Sequence, residues 1–282
     1  MITTNQIYCE DCNLFMEKIR KECRFKIDII ITSPPYNIGK NYSSYHDSRK
    51  TNDYLDWLLE VAQRSFLILK PNGSFFLNIN GTATEPLIPY LVLDKFISAG
   101  YKLQNTIHWI KSISIEKEDI GNNNQICKTG FSIGHFKPIR SNRYLTNTHE
   151  YIFHFTKTGN LNLEKLSIGV PYQDKSNIKR WKSVEQDKRD RGNVWFISYP
   201  TIQSSRLHPA IFPEKLASLC IKLHGYSNKD FIVYDPFMGI GHTALACIEL
   251  GIDYVGTEID KSYIDIANNM ILKKKKKISK SN

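Results

Sequence analysis

The sequence predicts an α/β fold with a doubly wound, mostly parallel sheet. Apolar, β-branched runs at 27–31 and 231–234 are typical of strands buried on both faces. Such strands alternate with runs of helical periodicity over residues 1–110, and the alternation resumes near residue 208. A chain of 282 residues is long enough for one large α/β domain, or for one domain that carries an insertion.

The elements of the first part of the chain follow from hydrophobic periodicity and from turn residues. Pro71 and Gly73 separate a long amphipathic run from an apolar run, so a helix ends and a strand begins there. The predicted elements are strands at 6–9, 27–31, 74–79, 107–110 and 151–155, and helices at 12–20, 53–69 and 90–99.

The last part of the chain is predicted to form a helix, a strand, a second helix and a second strand, in that order. Pro213 is well suited to a first helical position, and Gly251 is well suited to ending a helix. The predicted elements here are helices at 214–223 and 242–250, and strands at 231–234 and 253–256.

A rigid turn follows the predicted strand at 27–31. Its sequence, Thr-Ser-Pro-Pro-Tyr-Asn at 32–37, contains two prolines that end the strand and remove two backbone donors. The turn holds the Ser33 hydroxyl, the Tyr36 ring and several carbonyls at the carboxyl end of a central strand, where open α/β sheets bind ligands. Acceptors beside a flat ring suit a flat group that carries an NH2, such as a nucleobase.

A second candidate binding turn follows the predicted strand at 231–234. Its glycines, Gly239 and Gly241, allow the backbone to approach a ligand closely. Glu258 ends the next strand, where a carboxylate can accept hydrogen bonds from a ribose diol. Asp235 would repel the pyrophosphate of a dinucleotide, so it favours a cationic ligand instead.

The two turns resemble motifs of the amino-group DNA methyltransferases, which transfer a methyl from S-adenosylmethionine to the exocyclic nitrogen of cytosine or adenine. Ser-Pro-Pro-Tyr at 33–36 resembles their catalytic motif, and Asp-Pro-Phe-x-Gly-x-Gly at 235–241 resembles their cofactor motif. The catalytic motif comes first, as in the circularly permuted group of this family. The resemblance implies a Rossmann-like methyltransferase fold, catalysis at Ser33, Pro34, Pro35 and Tyr36, and cofactor binding by Asp11, Asp235, Phe237, Gly239, Gly241 and Glu258.

Three of the residues near these motifs have more than one interpretation. By the resemblance, Asp11 accepts a hydrogen bond from the adenine of the cofactor; as an alternative, it caps the predicted helix at 12–20. The resemblance also implies that Phe212 and Lys215 lie near the cofactor site, although helix initiation at Pro213 would explain the same pattern.

The resemblance implies methylation of cytosine N4 within a short duplex sequence. This methylation would protect the sequence from a cognate restriction endonuclease. Ser33 and the Pro34 carbonyl would accept hydrogen bonds from the amine, and Tyr36 would stack on a flipped-out base. The alternative is an adenine-N6 enzyme of the same architecture. A protein or RNA methyltransferase and a DNA-binding protein without catalysis are further alternatives. Segment 168–181 is similar to short cytosine-N4 enzymes that act on CTAG.

The basic composition predicts a polyanionic partner, here double-stranded DNA. The formal net charge is +10, of which part comes from a lysine tail at 273–277 that we expect to be frayed. The region 175–191 combines basic residues with a tryptophan, which is typical of a DNA-facing surface. The expected DNA contacts are Lys179, Arg180, Trp181, Lys182 and Arg189.

Four functional parts are expected along the chain. The target-recognition insertion expected at 161–205 has a size that suits a recognition site of about four to six base pairs. The polar stretch at 112–147 either closes on DNA or is disordered. The four parts are a catalytic half at 1–160, the recognition insertion at 161–205, a cofactor-binding half at 206–272 and a basic tail at 273–282.

Several other classes of protein are disfavoured by the sequence. No apolar run approaches the length of a membrane span, and no signal-peptide pattern is present, so we expect a prokaryotic cytoplasmic protein. Six scattered cysteines fit a reducing compartment. Cys9 and Cys12 have no second pair at zinc-like spacing, so no metal is expected.

Overall fold

The computed structural model describes most of the chain. The residues it describes are 2–22, 26–40, 44–45, 47–120, 129–134, 141–172, 175–176, 178, 187–198, 212–227 and 230–280.

The secondary structure follows the alternation expected from the sequence. The strands are β1 (Gln6–Cys9), β2 (Ile27–Thr32), β3 (Leu69–Ile79), β4 (Lys102–Ile110), β5 (Ser112–Ile115), β6 (Phe131–Gly134), β7 (His149–Thr156), β8 (Val194–Phe196), β9 (Ile232–Asp235) and β10 (Asp253–Glu258). The α-helices are α1 (Cys12–Glu22), α2 (Thr51–Ile68), α3 (Ile88–Ser98), α4 (Glu214–His224), α5 (His242–Leu250) and α6 (Lys261–Ser279). Short 3-10 helices cover Glu118–Ile120 and Lys165–Ile168.

One sheet of eight strands organises the protein, in the order β1-β10-β9-β2-β3-β7-β4-β8. All neighbours from β1 to β3 pair in parallel, and so do β4 and β8. Only β7 is antiparallel to its neighbours, β3 and β4, within this sheet. The predicted doubly wound, mostly parallel sheet is therefore confirmed.

The neighbouring strands β2 and β9 form the switch point of the sheet. From β2 the chain continues to β3 on one side, and from β9 it continues to β10 on the other side. The loops that leave these two strands therefore diverge, and they open a crevice at the carboxyl ends of the strands. Both turns singled out in the sequence lie at this crevice.

Apolar layers cover both faces of the sheet. Phe15 of α1, Leu58 of α2 and Phe96 of α3 pack on one face. Leu216 of α4 and Leu245 of α5 pack on the other face. Full burial of one such side chain stabilises the fold by about 1.5–3 kcal/mol, so the two layers fix the ends of β2 and β9 firmly.

The structure differs from the sequence-based expectation at the far edge of the sheet. Strand β8 lies within the stretch expected to form a separate recognition insertion, yet it pairs with β4 and buries Trp195. The polar stretch at 112–147 contains the antiparallel pair β5 and β6. Both features depend on pairing between residues that are distant in sequence, which local periodicity does not reveal.

The lysine tail also differs from expectation. It continues helix α6 instead of fraying, and its Lys274 contacts Glu214 at 2.8 Å and Glu249 at 2.6 Å. These two carboxylates, on α4 and α5, hold the helix against the body of the protein.

No helix among the described residues is long and apolar enough to cross a membrane.

Candidate active site

Asp235, at the end of β9, ties together the two turns at the crevice. Its carboxylate accepts hydrogen bonds from Thr32 Oγ1 at 2.7 Å, from Thr243 Oγ1 at 2.6 Å and from the Phe237 N–H at 3.0 Å. Burial raises the pKa of Asp235 to about 6, against the opposing effect of these hydrogen bonds. The side chain therefore points into the protein, which differs from the predicted contact with a cationic ligand.

A cavity of about 270 Å³ opens beside these turns. Its lining includes Ser33 from the turn after β2, Phe237 and Gly239 from the turn after β9, and also Asp11 and Glu258. Both candidate motifs therefore contribute residues to the lining of the same cavity. Pro35 also lines this cavity, but Pro34, Tyr36, Asp235 and Gly241 are not part of its lining.

Glu258, at the end of β10, holds the backbone around the cavity. Its carboxylate accepts hydrogen bonds from the Gly239 N–H at 2.9 Å and from the Asp260 N–H at 3.0 Å. Burial raises the pKa of Glu258, and the backbone N–H donors oppose that shift. Each carboxylate oxygen can accept more than one hydrogen bond, so the group has capacity for a ligand hydroxyl as well.

Two glycines are required by close packing near the cavity. A Cβ on Gly256 would lie 2.3 Å from Met238 Cε and 3.1 Å from Met238 Cβ. Gly241 has a φ of 90°, and a Cβ there would lie 3.0 Å from the Cβ of Ala267 in α6. Gly256 therefore leaves room for the cavity-lining Met238, whereas Gly241 lets α5 begin against α6.

Aromatic side chains and an arginine form one wall of the cavity. The Trp57 ring lies 5.4 Å from the Phe237 ring and 5.8 Å from the Tyr45 ring. The Arg49 guanidinium lies over both Tyr45 and Trp57, at 4.9 Å and 5.1 Å from the ring centroids. Trp57 and Arg49 could not be predicted from the sequence, because neither residue belongs to a recognisable motif.

The chain just after the turn at 32–37 is held beside the cavity by buried Asp47. Its carboxylate accepts hydrogen bonds from the backbone N–H groups of Asn37, Ile38 and Lys40. Asn37 adopts a φ of 58° and exchanges two hydrogen bonds with the backbone of Arg49. This local network explains why Tyr45 and Arg49 reach the cavity.

The hydroxyl of Tyr36 connects the turn after β2 to β7. Ser33 Oγ donates to Tyr36 Oη at 2.9 Å, and Tyr36 Oη donates to Glu150 Oε2 at 2.9 Å. The Pro35 carbonyl accepts a hydrogen bond from Tyr54 Oη at 2.8 Å. Glu150 is a further residue at the site that was not predicted from the sequence.

Asp11 fulfils the capping role that the sequence left open. Its Oδ1 accepts hydrogen bonds from the backbone N–H groups of Asn13 at 2.9 Å and Leu14 at 3.1 Å. The same residue lines the cavity, so capping and ligand contact are compatible.

Phe212 and His242 extend the cavity lining on the side of α4 and α5. Phe212 is buried and lines the cavity as the resemblance implied, whereas Lys215 is exposed and does not. Burial lowers the pKa of His242. Among the described residues, no hydrogen-bond partner reaches its buried Nδ1. His242, the first residue of α5, is a further lining residue that was not predicted from the sequence.

The candidate DNA contacts are only partly described. Arg189 is exposed and pairs through its backbone with Val170, while Lys179, Arg180, Trp181 and Lys182 lie outside the described residues. Among the described residues, no group of three or more His, Cys, Asp or Glu side chains could hold a metal ion.

The family of the chain follows from comparison with known proteins. Residues 27–269 match the sequence model of the DNA methylase family, which groups N6 and N4 enzymes. The chain belongs to this DNA methylase family. The match includes both the turn after β2 and the turn after β9, and enzymes of this family use S-adenosylmethionine.

Two relatives support this membership. The chain is 30% identical to the orphan methyltransferase M.BamHII of Bacillus amyloliquefaciens over 87% of its own length and 88% of the relative's length. It is 27% identical to the type II methyltransferase M.BglII of Bacillus subtilis over 87% of its length, and it spans only 63% of that relative.

Solved structures share the fold of this DNA methylase. The PvuII DNA methyltransferase (cytosine-N4-specific) aligns over 95% of this chain and 86% of the PvuII chain, with a TM-score of 0.64 and 18% identity. The M1.HpyAVI–SAM complex aligns over 94% of this chain and 98% of its own, with a TM-score of 0.53 and 23% identity.

The cavity of this DNA methylase fits S-adenosylmethionine by its chemistry. Trp57 and Phe237 supply aromatic surface suited to an adenine ring. Glu258 supplies a carboxylate suited to ribose hydroxyls, and the bare backbone of Gly239, with a φ of 52°, allows a close approach. Ser33, from the turn that resembles the catalytic motif, lines the same cavity, so a methyl donor and a target group could meet there.

Proposed function

We propose that this DNA methylase transfers a methyl group from S-adenosylmethionine to N4 of cytosine within a short duplex sequence. One observation carries the proposal: Ser33 of the catalytic turn and Glu258 and Gly239 of the cofactor half line the same cavity. A shared cavity allows the acceptor nitrogen and the methyl donor to be held in line, which can supply much of the rate enhancement.

Each cofactor contact that we propose corresponds to a chemical feature of the cofactor. We assign the ribose hydroxyls to Glu258 and the adenine to the surface of Phe237 and Trp57. Asp11 lines the same cavity, and both of its capping hydrogen bonds use Oδ1, so its other carboxylate oxygen takes no part in capping. Gly239 lines the cavity and has no side chain, so its backbone allows a close approach of the cofactor. Asp235 acts indirectly, since it anchors the turn that carries Phe237.

The proposed chemistry needs hydrogen-bond acceptors more than a strong base. The bound cofactor supplies an electrophilic methyl group on a sulfonium. Ser33 Oγ and the Pro34 carbonyl accept hydrogen bonds from the target amine, whose lone pair is delocalised into the ring, and draw the nitrogen toward tetrahedral geometry. The nitrogen would gain the methyl as the sulfur–methyl bond breaks, which leaves a neutral thioether, and the positively charged nitrogen would then release a proton to solvent. The Tyr36 ring stacks on the base, which must leave the duplex.

The choice of cytosine rests on two supporting observations. The motif begins with Ser33, which resembles the form typical of cytosine-N4 enzymes. A solved structure with the same fold is that of a cytosine-N4-specific enzyme. The alternative is adenine N6, because the matching family groups both kinds of enzyme.

The proposed biological setting is a restriction-modification system. M.BglII, a relative, is named a type II methyltransferase, whereas M.BamHII is named an orphan methyltransferase. The net charge of +10 favours binding to duplex DNA. We propose that the stretch 161–205 reads the sequence, with Lys179, Arg180, Trp181, Lys182 and Arg189 as the contacts to DNA.

The proposal is tested with purified protein, unmethylated bacterial genomic DNA and S-adenosylmethionine carrying an isotope-labelled methyl group. After digestion to nucleosides, mass spectrometry should find the label in N4-methylcytosine. Label in N6-methyladenine would replace the cytosine assignment with the alternative. Absence of label from both nucleosides, in protein that binds the cofactor, would overturn DNA methylation by this chain.

A further inference from the structure

Three hydrogen-bond donors converge on the carboxylate of Glu150. Tyr36 Oη and Asn78 Nδ2 each lie 2.9 Å from Oε2, and Lys111 Nζ contacts Oε1. Glu150 is 8% exposed, so these protein groups replace most of its water. The three donors come from the catalytic turn, from β3 and from the segment after β4, so the carboxylate joins three parts of the sheet edge.

The carboxylate sets the direction of the hydrogen bonds that lead to Ser33. An ionised carboxylate accepts only, so Tyr36 commits its single hydroxyl proton to Glu150. The Tyr36 oxygen is then left to accept, and Ser33 commits its own single proton to it. A serine hydroxyl can otherwise either donate or accept. Here only acceptor capacity is left on Ser33 Oγ for a group in the cavity.

We propose that Glu150 is a positioning residue that makes Ser33 an obligate hydrogen-bond acceptor for an NH2 group. This inference rests on the proposed methylation of an exocyclic amine, and it names the residue that orients the catalytic serine for it. It also gives a reason for rejection of bases that present a carbonyl oxygen at the same position, because such a base would find no donor at Ser33. Glu150 acts through Tyr36 and does not touch the substrate.

The Glu150→Gln variant tests this direction while keeping the shape of the side chain. The new amide must turn its own NH2 toward Lys111 or toward the pair formed by Tyr36 and Asn78, and each of these is a donor. The fixed donor-to-acceptor direction of the hydrogen bonds from Ser33 through Tyr36 to residue 150 is then lost. We expect kcat for DNA methylation to fall by about tenfold to a hundredfold, since one partner of a buried hydrogen bond is lost. The Kd for S-adenosylmethionine and the KM for DNA should change less than about twofold.

Tyr36→Phe provides the decisive comparison, because it removes the hydroxyl that relays the effect. The double variant Glu150→Gln/Tyr36→Phe should be no slower than Tyr36→Phe alone, since the two residues act through one chain. A merely structural role for Glu150 would instead add a further loss in the double variant.

The matched control is Asp28→Asn. Asp28 pairs with Lys70 at 2.7 Å, and the exposed fractions of its side chain and its lysine, 11% and 30%, equal those of Glu150 and Lys111. It lies at the opposite end of β2 from the catalytic turn, so Asp28→Asn should lose stability without losing kcat. A wild-type kcat in Glu150→Gln, or losses that add in the double variant, would overturn the inference alone. An unmodified target base in the wild-type reaction would overturn both the proposed function and the inference on Glu150.

Discussion

Thr32 donates a 2.7 Å hydrogen bond to Asp235, and this contact joins the turn after β2 to the turn after β9. Both residues are buried, and they come from adjacent strands that are separated by 203 positions in the sequence. The Asp235 carboxylate therefore links the two turns directly, in addition to the pairing of β2 with β9.

The Asp235→Asn variant should change how stability depends on pH. Burial raises the folded-state pKa of Asp235 from 3.8 to about 6. An acid whose pKa is raised on folding contributes stability that is fully present below pH 3.8 and is lost as the pH rises through about 6. The wild type should therefore lose up to about 3 kcal/mol of unfolding free energy relative to Asp235→Asn between pH 4 and 7.

Denaturant unfolding of both proteins at several pH values measures this difference. The comparison with Asp235→Asn cancels the contributions of other groups, such as His154, whose pKa is lowered by burial. A difference between the two proteins that stays constant from pH 4 to 7 would contradict the account of Asp235.

The Glu258→Gln variant should weaken cofactor binding. Glutamine offers one acceptor oxygen where the carboxylate offers two, and Glu258 already accepts from Gly239 and Asp260. We expect the Kd for S-adenosylmethionine to rise by about tenfold to a hundredfold, or about 1.4–2.7 kcal/mol, in isothermal titration calorimetry. The control is Glu249→Gln, which removes an exposed partner of Lys274 and should leave the Kd unchanged. Equal affinities for wild type and Glu258→Gln would remove Glu258 from the cofactor site.

The Gly256→Ala variant should disturb the cavity through Met238. The added Cβ would lie 2.3 Å from Met238 Cε and 3.0 Å from its Cγ, so Met238 must move. Overpacking of this kind costs about 1–3 kcal/mol of stability, and displacement of Met238 should weaken cofactor binding. A Met238→Ala background removes the contacts with Cε and Cγ and leaves only the Cβ at 3.1 Å, so the loss of stability on thermal unfolding should be smaller. Equal losses in both backgrounds would show that the predicted clash does not occur.

Neutralising Lys179, Arg180 and Lys182 together should weaken DNA binding and flatten its dependence on salt. Each lost phosphate contact lowers the slope of log K against log salt by about 0.9 for duplex DNA. A control variant with three neutralised lysines at Lys273, Lys275 and Lys276 has the same change in net charge. If this control lowers the slope as much as the first variant does, the region 175–191 is not the DNA contact surface.

The sequence predicted those parts of the site that depend on local motifs. The turn at 32–37 and the glycine turn after β9 lie at neighbouring strand ends because β2 and β9 pair at the switch point. Ser33, Phe237, Gly239 and Glu258 all line the cavity for that reason. A strand followed by a stiff or glycine-rich turn is readable locally, and the parallel sheet brings such turns together.

The residues that the sequence did not predict owe their roles to long-range contacts. Glu150 lies 114 positions after Tyr36 and reaches it because β7 runs antiparallel to β3, which the alternation of helices and strands did not indicate. Trp57 lies within α2, where an aromatic residue is ordinarily part of the core. Asp235 was predicted to face a ligand because its hydroxyl partners, Thr32 and Thr243, cannot be recognised from sequence alone.

The central claim is methyl transfer to cytosine N4 at Ser33. Its most direct test is nucleoside mass spectrometry of plasmid DNA from cells that express either the wild type or Ser33→Ala, in a host without other DNA methylation. The account predicts N4-methylcytosine in plasmid from the wild type and a strongly reduced amount with Ser33→Ala. N6-methyladenine in its place, or N4-methylcytosine at equal levels with both proteins, would contradict it.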